Sequence, residues 1–362
     1  MSYSPFRHID SILWKRSPIH LTLFLTRRCN SRCPFCFYLS DEEITKGAAE
    51  ELSLEEIKKI SSSLGNLLWL ALSGGEIFLR KDIFEIVKTF YDNNKPSIIL
   101  MPTNGLLPEV IREKIEEVLR YCSNSVVTVK LSLDGPEPIQ DAIRGVKGSY
   151  KKTMETYKAI GGLLSKYPNF ELGINSVFCS MNQDHLDDVI ELVGSMDNIK
   201  THTVSLIRGE VSDGTLKEVD TEKYNRIVKK LEENQKKKIA KLYRFKGAKL
   251  KAAQDLLQRR LIHQTVTEDR QIIPCYAGKL DVVVTESGDL YPCELFTPAM
   301  KLGNVRKDGY DIKKVLKTKQ AQKVIRSIKD NRCYCTHECN FMMNILFNPS
   351  TYPALLKEYI QI

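Results

Sequence analysis

The sequence predicts a parallel α/β unit followed by a helical connector and a small cysteine-rich domain. Three observations carry this. Short apolar, β-branched runs alternate with longer stretches of helical period between residues 21 and 207, the pattern of βαβ units. A basic segment then breaks the alternation. Beyond it, five of the chain's ten cysteines crowd between Cys275 and Cys339.

The run 21–26 reads as the first strand. Ser53-Leu54-Glu55-Glu56 places Ser at an N-cap and Glu three positions on, a capping box that opens a helix over 53–64. Strands follow at 68–73, 98–102, 126–133, 171–179 and 201–207, separated by helices at 82–91, 108–121, 150–167 and 184–196. Arg208-Gly209 and the polar turn Ser212-Asp213-Gly214 close the unit. In the connector, Tyr224, Ile227, Val228 and Leu231 share one helical face. From Gln271 onward the chain reads as short strands and turns, with 282–284 and Gly288-Asp289 as hairpin punctuation. The expected parts are an N-terminal strap (1–20), the α/β unit (21–209), the connector (210–271) and the cysteine-rich domain (272–362).

The chain has 362 residues, 42% hydrophobic and 27% charged, which excludes a disordered or fibrous protein. No apolar run reaches the ~18–20 residues of a membrane span, and the longest, at 67–72, stops at Ser73-Gly74-Gly75. The first residues lack a secretory signal, so a cytoplasmic protein is expected. Charge is uneven: residues 217–270 hold 16 Lys and Arg against 8 Asp and Glu, a surplus of +8 within a net +9. That segment reads first as a solvated helical pair and second as an attractor of phosphate-bearing or acidic partners. Without interleaved aromatics it offers no base-stacking platform, so nucleic acid is not an expected partner.

Clustered cysteines in a reducing compartment point to metal rather than disulfides. Cys122 and Cys179 stand alone and read as buried apolar residues. Cys29-x3-Cys33-x2-Cys36 directly follows the first strand, where parallel α/β folds carry ligand-binding loops. No fourth Cys or His stands nearby, which disfavours structural zinc. Three thiolates fit an iron–sulfur cubane with one iron left open.

This spacing, with Phe35 before the third cysteine, resembles that of the radical S-adenosylmethionine (radical SAM) superfamily. Gly74-Gly75-Glu76, at the end of the second strand, resembles the family's GGE motif. The resemblance implies a partial (β/α)6 barrel of TIM-like form and a [4Fe–4S] cluster on Cys29, Cys33 and Cys36. It also implies that S-adenosylmethionine, cleaved by one electron, yields a 5′-deoxyadenosyl radical that takes a substrate hydrogen. Glycines at 74 and 75 would let the methionine end approach, and Glu76 would meet its ammonium. Phe35, Thr103, Asn104, Ser132, Asp134, Asn175 and Arg208, most of them at strand ends, would supply further cofactor contacts.

Cys275, then Gly288, then Cys293 after four intervening residues, with Cys335-x3-Cys339 downstream, resemble the SPASM and twitch domains of the same superfamily. Cys333 adds a fifth thiol. The resemblance implies one auxiliary [4Fe–4S] cluster, two clusters in all, on Cys275, Cys293, Cys339 and one of Cys333 or Cys335. Zinc holding a small domain is the plainer alternative. Glu294, directly after Cys293, is a candidate base in the resemblance and otherwise a solvated side chain.

The expected chemistry is oxidative modification, dehydrogenation or cross-linking, of a peptide or small-molecule substrate, with the auxiliary cluster as electron acceptor. The initial electron would come from a low-potential donor such as flavodoxin or ferredoxin. Redox-neutral chemistry on a phosphorylated, sugar or lipid substrate is the alternative, and a non-catalytic iron–sulfur carrier or sensor is the reading of another class. Only 28 residues precede Cys29, too few for a leader-binding domain. Residues 6–14 mix Phe, Ile, Leu and Trp ahead of Lys15-Arg16. They read first as a strap along the barrel and second as a peripheral membrane contact.

Overall fold

The computed structural model describes residues 5–39, 50–237 and 243–362. Residues 1–4 of the expected strap and 238–242 of the expected connector lie outside the described residues. Nine strands form one sheet: β1 His20–Phe24, β2 Trp69–Ser73, β3 Ile98–Thr103, β4 Val126–Ser132, β5 Phe170–Phe178, β6 Thr201–Leu206, β7 Asp281–Val284, β8 Asp289–Tyr291 and β9 Gly303–Asn304. Their spatial order is β6-β5-β4-β3-β2-β1-β7-β8-β9. From β1 to β6 every neighbouring pair is parallel, the six-stranded partial barrel expected.

Strand alternation sorts the side chains. Leu21, Leu23, Leu70, Leu72, Val127, Val129, Leu172 and Ile174 pack with Ile57, Ile60, Val87, Phe90, Ile115 and Val118 of the outer helices. The concave face is filled only where the strands begin. There Leu68, Trp69, Ile98 and Val126 meet Phe245, Met342, Met343, Leu346 and Phe347, most of them on the helix Glu338–Leu346. A parallel sheet must be covered on both faces, and covering this one from below leaves the C-terminal strand ends for chemistry.

Three features depart from the sequence expectation. The helix expected over 150–167 is two, Ser149–Gly161 and Leu163–Lys166, parted at the Gly161-Gly162 pair. The helix Glu137–Arg144 was not expected; it is short, opens at Pro136 and ends at Gly145 in the left-handed conformation. The run 282–284 is more than hairpin punctuation. As part of β7 it pairs in parallel with β1, His20 opposite Asp281, before the antiparallel β8 and β9.

The connector is the helical pair Thr221–Lys236 and Ala248–Glu268, with Tyr224, Ile227, Val228 and Leu231 buried. Many of its cations serve the protein itself. Lys230 reaches Asp187 and Glu191 at 2.8 and 3.2 Å, and Arg260 reaches Glu232 at 2.9 Å. Arg244 donates to the carbonyls of Leu164 and Phe170, and Arg259 to that of His202 on edge strand β6. Among the described residues, no helix is long and apolar enough to cross a membrane.

Candidate active site

The loop after β1 carries Cys29, Cys33 and Cys36, all half-buried and none in a disulfide. Each sulfur accepts a hydrogen bond: from the Ser31 N–H to Cys29 at 3.5 Å, from Arg144 Nη1 to Cys33 at 3.6 Å and from the Leu39 N–H to Cys36 at 3.3 Å. Asn104 Nδ2 adds a longer contact to Cys29 at 3.9 Å. Burial pushes the Cys33 thiol up to about 12, so it gives up its proton only to a strong local positive charge, as a bound metal supplies. N–H donors around thiolate sulfurs are the surroundings that an iron–sulfur cluster uses. Three protein thiols on one loop therefore fit the cluster implied. Among the described residues, no three Cys, His or carboxylate groups converge as one mononuclear ion requires; in a cubane each thiolate binds a different iron.

The GGE segment explains why this loop sits where it does. Gly75 N donates to Thr26 O at 2.8 Å, and Glu76 N to Arg28 O at 2.9 Å. A Cβ on Gly74, whose φ is +112°, would stand 2.6 Å from Thr26 O, and one on Gly75 would stand 2.1 Å from Arg28 O. The glycines thus admit the backbone of the cysteine loop. Replacing Gly75 by Ala is expected to cost on the order of 3 kcal/mol through forced overlap. A lowered unfolding midpoint together with lost iron would show it.

Glu76 is held by the protein's own donors. Its side chain is buried, with Oε1 accepting from the Phe78 N–H and Thr103 Oγ1 at 3.2 and 2.9 Å, and Oε2 from the Asn104 N–H at 2.8 Å. Burial outweighs these donors and raises the carboxyl to about 7. Glu76 therefore ties the end of β2 to the end of β3, while Ser73, Gly74 and Gly75 remain half-buried at the strand end. Thr103 and Asn104 belong to the same tie, and Asn104 carries it on to Asn30 and Ser31 in the cysteine loop.

Ser132, at the end of β4, and Asn175, within β5, are half-buried cross-strand partners, with Ser205 Oγ donating to Asn175 Oδ1 at 3.4 Å. Asp134 does not join them. It is fully buried, its Oδ1 taken by the Val177 N–H and its Oδ2 by Arg144. In place of the expected cofactor contact, it holds the guanidinium that reaches Cys33 and lies 5.4 Å from the Phe35 ring. Phe35 is buried with Ile143, Cys179 and Ile207.

Sequence reasoning missed Arg144. The available signal was Arg144-Gly145 closing a short helix: a Cβ on Gly145 would stand 2.7 Å from Arg32 O, and Arg32 N donates to Arg144 O at 2.8 Å. It also missed Glu286, which accepts from Arg27 at 2.6 Å and from Tyr38 and so ties both flanks of the cysteine loop to the β7–β8 turn.

At the second site, Cys275, Cys293, Cys333 and Cys335 line one cavity, about 650 Å³ of empty space walled by Ile273, Met300, Ile328 and Phe341. Cys339 is not part of that wall. Its thiol lies in the field of Glu294, Glu338 and Arg208. Of the expected ligands, Cys275, Cys293 and both Cys333 and Cys335 line the cavity, while Cys339 lies outside its wall.

Arg208 joins the two sites. Its guanidinium lies 4.9 Å from the ring centre of Phe37, next to Cys36, and Nη2 reaches Oε2 of Glu294, next to Cys293, at 2.6 Å. Nη1 reaches Glu338 at 3.5 Å, and His337 Nε2 lies 3.1 Å from the same Glu294 oxygen. Burial pushes the His337 ring down to about 3, so it is neutral. Burial alone would raise the Glu294 carboxyl, but the charge of Arg208 and its hydrogen bond outweigh it and hold the group below its usual range. Arg208 is thus placed against the second site, and Glu294 is a paired carboxylate in a cleft that also includes Lys217, Asp269, Cys293 and Cys335.

Residues 23–193 match the sequence model of the radical SAM superfamily. The chain belongs to that superfamily. Residues 275–340 match the SPASM iron–sulfur cluster-binding domain, so the chain joins a radical SAM domain to a SPASM domain. It is 28% identical over 298 residues to the antilisterial bacteriocin subtilosin biosynthesis protein AlbA of Bacillus subtilis (strain 168), covering 81% of this chain and 59% of AlbA. It is 26% identical over 301 residues to the AdoMet-dependent heme synthase of Methanosarcina barkeri (strain Fusaro / DSM 804), covering 79% of each. Among solved structures, anSMEcpe with bound AdoMet and Cp18Cys peptide superposes with a TM-score of 0.58 at 18% identity, over 94% of this chain and 99% of that one. At that identity the likeness is one of fold.

Proposed function

We propose that this radical SAM enzyme oxidatively modifies a peptide, with one cluster on Cys29, Cys33 and Cys36 and an auxiliary one in the cavity of Cys275, Cys293, Cys333 and Cys335. The observation that carries the reading is Arg208, whose guanidinium touches a neighbour of each thiol site, Phe37 beside Cys36 and Glu294 beside Cys293. When bound, the first cluster and S-adenosylmethionine supply a 5′-deoxyadenosyl radical to take one substrate hydrogen. The protein's part is orientation. Ser132 and Asn175 face the open strand ends, and the paired Glu294 is placed to accept the proton released as the substrate radical is oxidised. The auxiliary cluster, when bound, would take the electron released by the substrate radical, and a low-potential donor such as flavodoxin or ferredoxin would supply the separate electron that cleaves S-adenosylmethionine.

The kinds of relative support a peptide: AlbA is named for bacteriocin biosynthesis, and anSMEcpe was solved with a peptide. The test is anaerobic incubation of the reduced protein with S-adenosylmethionine and a peptide library. The expected result is 5′-deoxyadenosine together with a peptide lighter by two hydrogens. Products of unchanged hydrogen count would instead favour the redox-neutral reading, and no cleavage of S-adenosylmethionine would favour a carrier. For the second site, Cys333→Ala is expected to lose the auxiliary iron and Cys339→Ala to keep it, as read by iron analysis. The reverse pattern would restore Cys339 as the ligand.

A further inference from the structure

Residues 6–16 form a surface segment seated with its apolar side outward. Phe6, Ile9, Leu13 and Trp14 are 65%, 60%, 68% and 54% exposed. Their spacing of three, four and one is that of a single helical face, and the backbone follows it through a 3-10 turn into the helix Asp10–Trp14. The opposite face is the polar one. His8 and Ser11 are buried, beside Ile12 packed with Met342, Met343 and Phe347. Water alone would favour the reverse arrangement.

The segment is tied down. Arg7 donates to Ser97 Oγ at 3.0 Å and to Lys95 O at 3.3 Å, and Lys15 donates to Ile12 O at 2.6 Å while lying over the Tyr276 ring. Its surroundings are cationic. Arg7, Lys15 and Arg16 lie on it, with Lys95 against Arg7 and Lys279 beside Lys15, and Asp10 is the one acidic residue within it.

We propose that this face docks on the surface of an anionic lipid bilayer, with Phe6, Ile9, Leu13 and Trp14 entering the interface and the five cations meeting lipid phosphates. Protruding aromatic and aliphatic groups ringed by Lys and Arg are what such a surface recognises. A second copy of the chain fits worse, because a two-fold contact would set these cations against their own copies. The placement also has a direction. Ser97 and Lys95 precede β3 and Ile12 packs under the strand starts, whereas the cysteine loop follows the end of β1. A docked molecule therefore opens its cleft toward water and takes substrate from the aqueous side, not from the membrane.

The test uses the anaerobically purified full chain with vesicles of phosphatidylcholine alone and of phosphatidylcholine with about one third phosphatidylglycerol. Co-sedimentation is expected only with the anionic vesicles, weakened about tenfold or more by high salt, with a blue shift of Trp14 emission. Ile9→Asp/Leu13→Asp is expected to abolish it while leaving iron content and S-adenosylmethionine cleavage unchanged. No wild-type binding to anionic vesicles, or equal binding by the double variant, would overturn the proposal. So would sedimentation velocity showing a dimer that the double variant dissociates, which would assign the face to a second copy. Cleavage of S-adenosylmethionine without vesicle binding would sink this inference and leave the proposed function intact.

Discussion

Cys29/Cys33/Cys36→Ala is expected to hold about four irons where the wild type holds about eight, and to make no 5′-deoxyadenosine. The three thiols sit on one loop with an N–H donor to each, so a single triple substitution empties one site. The four thiols of the other cavity belong to a different wall of the molecule, braced by Ile273, Met300 and Ile328. Anaerobic iron and sulfide analysis, with electron paramagnetic resonance with and without S-adenosylmethionine, reads both sites at once. A triple variant without any iron would mean that the second cavity is not an iron–sulfur site, and the oxidative reading would lose its electron acceptor.

Arg208→Met is the second large effect. The substitution leaves Glu294 and Glu338 facing each other in a low-dielectric cleft without their common cation, at a cost on the order of 3 kcal/mol. The midpoint of chemical unfolding should fall accordingly. Arg208→Met/Glu294→Gln should recover part of the loss, because one of the unpaired charges is gone. Catalysis should split as well: 5′-deoxyadenosine still forms, while modified peptide falls away because Glu294 has lost its anchor. Equal loss of both would show that Arg208 serves the first site alone.

What the sequence made legible followed periodicity and spacing. The six barrel strands were placed within a residue or two, because alternating β-branched runs and glycine stops are local signals. Cys29, Cys33 and Cys36 were legible because their ligand geometry is written in one loop. Roles that depend on distant partners were not. Glu76 reads the same in sequence whether its carboxylate meets a cofactor or, as found, the donors of Thr103 and Asn104. Asp134 looks like a strand-end contact until Arg144, ten residues on, takes one of its oxygens. The thiols Cys333, Cys335 and Cys339 are nearly adjacent in the chain, and only the turn into the helix Glu338–Leu346 separates the last from the first two. The strand β7 is four residues long, too short to announce that its partner is β1.

That pairing governs the order in which the molecule can be made. The strand that delivers the cysteine loop has one edge without a neighbour until β7, which lies beyond the rest of the barrel and the connector in the chain, has been synthesised. At ordinary elongation rates the interval is on the order of ten seconds or more. Throughout it, an apolar parallel strand stands with open backbone groups, the condition that invites mispairing. The first site is therefore finished late, and overproduction is expected to yield insoluble protein unless elongation is slowed or iron–sulfur assembly keeps pace with translation.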